Sequence, residues 1–83
     1  MYLAKVYVTL KPTVNDPQGL TIKGALQTLG FNNVQGVRAG KYIEVKVDSS
    51  DKAVVQGQVE KMCRQLLANP VIENFRFELE ELK

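Results

Sequence analysis

The segment Gly36-Val37-Arg38-Ala39-Gly40-Lys41 places two glycines and two cations around a turn, where backbone amides and side chains can hold a phosphate or a carboxylate. It does not match the P-loop pattern, and Tyr42 stands where that pattern needs a serine or threonine. The competing reading is a glycine turn whose cations face solvent or another chain. Cys63 lies between Met62 and Leu66 on an apolar stripe, where a thiol acts as a small buried hydrophobe more readily than as a nucleophile. Glu78 and Glu80 share one strand face, with Glu81 following; with Arg76 alongside, a salt-bridged edge competes with an acid–base pair. Tyr42 and Tyr7 are the aromatics that could stack on RNA bases, but Glu44, Glu78 and Glu80 on the same face would repel phosphates. Nucleic acid is therefore not an expected partner.

The chain has no histidine, which removes the Ser-His and Cys-His nucleophile pairs and the commonest general base near neutral pH. With a single cysteine, neither an internal disulfide nor the usual Cys and His zinc sets can be assembled. Neither a catalytic nor a metal residue is expected. Eleven basic against nine acidic side chains give a charge of +2, too little to name a partner. The 83 residues, 45% hydrophobic and 24% charged, suit one soluble domain spanning 1–83. At this size a single core rarely supplies more than about 3 to 5 kcal/mol, so association with other chains is the expected staple. The start Met1-Tyr2-Leu3-Ala4-Lys5-Val6 lacks a signal pattern, and no segment approaches the ~18 apolar residues of a membrane span. A cytoplasmic protein with no membrane partner is expected.

Four strands and two helices must position these groups. Tyr2 to Leu10 alternates, with Tyr2, Ala4, Val6, Val8 and Leu10 on one side and Leu3, Lys5, Tyr7 and Thr9 on the other. Asp16-Pro17 reads as an N-cap with proline at the first helical position, and Leu20, Ile22, Ala25, Leu26 and Leu29 supply a helical stripe that Gly30 ends. Asn33 to Arg38, with Val34, Gly36 and Val37, reads as a short bulged or edge strand. Lys41 to Val47 alternates cleanly. Asp48-Ser49-Ser50-Asp51 then opens a helix over about 51–68, with Val55, Val59, Met62, Cys63, Leu66 and Leu67 at helical spacing until Asn69-Pro70. A last strand is expected from about Ile72 to Glu80.

The order βαββαβ predicts a ferredoxin-like α+β sandwich, a four-stranded antiparallel sheet with both helices on one face. Ala4, Val6, Val8, Ile43, Val45, Val47, Phe75, Phe77 and Leu79 are the expected sheet core. The other face, with Tyr7, Tyr42 and Arg76 among paired charges, has the composition of a wet protein interface and is read as a self-association face. A solvated face with incidental tyrosines is the alternative.

The stretches Lys5-Val6-Tyr7-Val8, Leu10-Lys11, Asp16-Pro17-Gln18-Gly19, Gly24-Ala25-Leu26, Val37-Arg38, Gly40-Lys41 and Glu44 occur together with Met62-Cys63 and Leu66 through Glu73. Jointly they resemble the PurS family, the small subunit of phosphoribosylformylglycinamidine synthase, over about Tyr2 to Glu81. Asn15 and Asn74 depart from the more apolar and acidic residues of that pattern, which bears on loop detail and edge charge. The resemblance implies a non-catalytic accessory subunit of an ATP- and glutamine-dependent ligase of purine biosynthesis. It would bridge the glutaminase and synthetase subunits, support ammonia transfer, and form a homodimer or homotetramer. No cofactor is implied on this chain; ATP and Mg would belong to the synthetase subunit.

Asp16, Pro17, Gln18 and Gly19, with Arg38, Gly40 and Lys41, match the family and are the segments that core packing explains least, so they are the expected partner contacts. A helix cap and a hairpin turn are the alternative readings. A ligand-sensing module of the ACT type shares the βαββαβ order and is the alternative function.

Overall fold

The computed structural model describes residues 1–83 and contains three strands and two helices. Strand β1, Tyr2–Leu10, is central; β2, Gly40–Val47, and β3, Glu73–Glu81, flank it, and both pairings are antiparallel. The register aligns apolar residues across one face: Val6 lies between Ile43 and Phe77, and Ala4 between Val45 and Leu79. Alternation therefore decides the strands, because one face of each must be buried. Helix α2, Lys52–Met62, covers this face by inserting Val55 and Val59 against Tyr2, Ala4, Val6 and Val8. The side chain of Asp51 caps α2 by accepting from the amides of Ala53 and Val54.

The last turn of the second helix departs from the expectation of a continuous α-helix over about 51–68. Residues Cys63–Leu67 form a π turn, closed by the amide of Ala68 donating to the carbonyl of Cys63 at 2.9 Å. The wider turn lets both Cys63 and Ala68 enter the core, with Leu67 packed against it.

The expected fourth strand is absent, so the sheet has three strands and not four. Val34 and Val37 are three residues apart, a spacing that places them on opposite faces of any strand. Residues 33–38 instead run beside α1: Gln27 donates to the Val34 carbonyl at 3.4 Å, and Asp16 takes the amide of Ala39. In the antiparallel order expected, that strand would have lain outside β2, so the outer edge of β2 is left open.

Helix α1, Pro17–Thr28, forms where the sequence places it but does not pack over the sheet; α2 alone covers that face. It ends in the expected left-handed glycine, Gly30 at φ 101°. The amides of Gly30 and Phe31 donate back to Gln27 and Leu26 there. Its apolar residues stay out of the core: Leu20 is 58% exposed, Leu29 73% and the following Phe31 54%. On the sheet, Ile43, Val45 and Val47 of β2 remain only half-buried.

Candidate functional site

The segments singled out for partner contact converge at one end of the sheet, where β1 leaves and β2 enters. Asp16 is the hub, with only 5% of its surface exposed. Its carboxylate accepts from the Gly19 amide at 2.9 Å and from the Ala39 amide at 2.8 Å, and the Arg38 guanidinium stands 4.0 Å away. These two amides, with Arg38 adding to them, hold its carboxyl below the usual carboxylate range. One side chain thus caps α1 and pins the segment that returns to β2.

Arg38 completes the junction. Its guanidinium donates to the carbonyls of Lys11 at 2.8 Å, Leu10 at 3.2 Å and Val14 at 3.2 Å, tying the turn before β2 to the loop after β1. Gly19 and Gly40, the two glycines among the expected partner contacts, are explained by crowding. A Cβ on Gly19 would strike the Val37 carbonyl, and one on Gly40 would strike the Val8 carbonyl of the neighbouring strand. Pro17 occupies the first turn of α1 as expected. Gln18 and Lys41 are exposed, and the Lys41 ammonium lies 3.7 Å from Glu73. The cap reading of Asp16 to Gly19 is therefore realised; the hairpin reading of Arg38 to Lys41 is not, since no strand precedes the turn.

On the sheet face away from α2, the register places Tyr7 between Tyr42 and Arg76. The Tyr7 and Tyr42 rings lie 5.1 Å apart, tilted by 41°, and the Arg76 guanidinium sits 4.0 Å from the Tyr7 centroid. Tyr42 donates to the Glu44 carboxylate at 2.9 Å, Arg76 to Glu78 at 3.2 Å, and Lys5 pairs with Glu80 at 3.0 Å. That pairing raises the Lys5 ammonium above its ordinary value, and desolvation followed by the Glu44 hydrogen bond raises the Tyr42 phenol. The result is a flat plate of aromatic rings and matched charges.

Reactive chemistry is not built into these places. Cys63 is fully buried, and burial pushes its thiol up, away from the thiolate that attacks or binds metal. Glu78 and Glu80 are each engaged with a cation and exposed, so they form a salt-bridged edge and not an acid–base pair. Sequence reasoning did not foresee the exposure of Leu20, Ile22, Leu29 and Phe31, because helical spacing shows what a helix can bury and not which chain supplies the surface.

A family model described as PurS: Phosphoribosylformylglycinamidine (FGAM) synthase matches residues 3–81. The Bacillus subtilis phosphoribosylformylglycinamidine synthase subunit PurS is 49% identical over 82 residues, covering 99% of this chain and 96% of that one. Among solved structures, Methanocaldococcus jannaschii PurS, a subunit of formylglycinamide ribonucleotide amidotransferase in the purine biosynthetic pathway, is similar with a TM-score of 0.88. Its identity is 42%, and the match covers both chains completely. A chain in the structure of PurLQS from Thermotoga maritima is similar with a TM-score of 0.81 and 32% identity, over 99% of each chain.

Proposed function

The chain belongs to the PurS family of phosphoribosylformylglycinamidine synthase subunits, and from that premise we propose that it serves the complex by assembly and not by chemistry. It is a subunit of a ligase of purine biosynthesis. The ligand-sensing alternative of the ACT type is not favoured by the family match. In the proposal the chain holds the glutaminase and synthetase subunits together in the cytoplasm, carries no catalytic residue and binds no cofactor. ATP with its magnesium is assigned to the synthetase.

Ammonia released at one active site is diluted and protonated in bulk water, so joining two sites raises its effective concentration at the second. A bridge of this kind needs stable surfaces. The observation that carries the reading is the exposed apolar stripe of α1, anchored at its base by Asp16 and Arg38 but not laid on the chain's own sheet. Exposed apolar patches of this sort mark protein contacts.

The same observation supports self-association as a homodimer or homotetramer. Leu20, Ile22, Leu29 and Phe31 on the arm, and Ile43, Val45 and Val47 beside the open edge of β2, are two apolar surfaces that one chain leaves unmatched. Two copies can cover both by laying each arm on the other's sheet, an isologous contact. Tyr7, Tyr42 and Arg76 form a second self-association face, and the exposed Gln18 and Lys41 at the junction are contacts for the partner subunits.

Co-sedimentation with the synthetase and glutaminase subunits tests the bridge. One complex containing all three is expected with the native chain. Sedimentation of this chain apart from both partners, with glutamine and nucleotide present, would overturn it.

A further inference from the structure

The stretch from Leu66 to Glu73 matches the family pattern, and neither the junction nor the sheet face accounts for it. Its apolar residues turn outward: Leu66 is 83% exposed and Val71 78%, more than any other large apolar side chain of the molecule. The π turn puts Leu66 there. Three residues after Cys63, it would share the core-facing side of a regular α-helix; closing the turn five residues on gives that place to Ala68 instead. The loop beyond is held by its own hydrogen bonds. The Asn69 side chain accepts from the Val71 amide at 3.1 Å, the Asn69 carbonyl accepts from the Ile72 and Glu73 amides, and the Asn69 amide donates to the Glu73 carboxylate at 2.7 Å. The Lys11 amide donates to the Ile72 carbonyl at 2.9 Å, fixing the loop to the end of the sheet that also holds the Asp16 and Arg38 junction. A loop that only joined α2 to β3 needs neither this order nor exposed apolar tips. An interface anchor needs both, because a side chain held in place beforehand loses little entropy on binding.

We propose that Leu66 and Val71 are the anchor by which this chain holds the synthetase subunit, seated in a depression that is apolar at its centre and acidic at its rim. The acidic rim answers an unbalanced charge. Glu60 and Glu73 are engaged by Arg64 at 3.1 Å and Lys41 at 3.7 Å, which leaves Lys11, on the same groove as Pro70, without an anion. The inference deepens the bridging reading above and rests on it. A bridge needs two unlike contacts, and this end of the molecule offers them: the polar Gln18 and Lys41 at the junction, and the apolar anchor at the loop. Permanent interfaces are the more apolar kind. Ammonia released by a glutaminase with no acceptor is lost to water, so the glutaminase contact is the one that must form and dissolve, and the synthetase contact is the standing one.

The test uses the three-subunit mixture with glutamine and nucleotide present. The exposed Gln65, beside the anchor, is changed by Gln65→Cys and labelled with a benzophenone maleimide, which the fully buried Cys63 does not take up; the assembled complex is then irradiated. An adduct with the synthetase is expected. An adduct with the glutaminase or with a second copy, or a complex that assembles without any adduct, would overturn the anchor and leave the bridging reading standing. Leu66→Asp is expected to weaken entry into the complex by about tenfold or more, the loss a central anchor gives, while self-association and melting temperature keep their native values. Leu66→Met is expected to assemble as the native chain does. Native-like assembly of Leu66→Asp, or loss of its self-association, would also overturn the anchor. A native mixture in which no complex forms would overturn the bridging reading with it.

Discussion

Two helices of nearly equal length, twelve residues in α1 and eleven in α2, contribute very differently to this molecule. From α2 and its π turn, Val55, Val59 and Cys63 are fully buried against β1. From α1 the buried residue is Gly19, which lacks a side chain. The contrast lies in placement more than in composition, since both helices are capped by an aspartate and both carry apolar residues at helical spacing. Half of the molecule is a closed core and the other half is surface prepared for something else. Small chains are expected to show this division, because a core of this size leaves little stability in reserve and association supplies the remainder.

The contrast can be broken by the same truncation in each region. Val59→Ala should cost about 2 to 3 kcal/mol in urea unfolding, from lost burial and the cavity left behind. Leu29→Ala, although it deletes more atoms, should change the stability of the dilute chain by less than about 0.5 kcal/mol. Equal losses would mean that α1 packs on its own sheet in solution. Leu29→Ala should instead shift the assembled mass downward in sedimentation.

The junction between the regions gives the next effect. Gly19→Ala forces a methyl group toward the Val37 carbonyl and should cost about 1 to 2 kcal/mol, whereas Gly24→Ala in the same helix, with open space around it, should stabilise slightly. Paired thermal melts of the two variants separate crowding from helix propensity. If both stabilise, the packing of α1 against residues 37–39 is wrong.

The smallest effect is in pH. The carboxyl of Asp16 is depressed in the folded chain, so its contribution is present above the ordinary aspartate value of about 4 and is lost as pH falls through the lower folded value. Asp16→Asn should therefore flatten the acid limb of stability below about pH 4. An acid limb identical in the variant and the native chain would remove Asp16 as the hub.

Much of the fold was legible because strand alternation is a strong signal. β1 and β2 fall within a residue of the expected limits, β3 is shifted by one, the cap at Asp16 acts as read, and the cap of α2 falls on Asp51, the last of the four cap-forming residues before it. The strand expected at 33–38 failed because two valines three residues apart are not alternation, and because Gln27 and Asp16 hold that backbone away from the sheet. The role of Arg38 was half legible: its cation looked available for a ligand, while the carbonyls of Leu10 at the end of β1 and of Lys11 and Val14 in the loop after it engage it. Those bonds span 24 to 28 residues, a separation that no local pattern reports. The Tyr7, Tyr42 and Arg76 cluster, by contrast, follows from register alone once the strands are placed.

The central claim is that this chain contributes assembly and no chemistry. The direct test is amidine formation by purified synthetase and glutaminase subunits, with and without this chain, using either glutamine or ammonia as the nitrogen source. The account predicts that the chain is required with glutamine and dispensable with ammonia. An equal requirement under both conditions, or none under either, would contradict it.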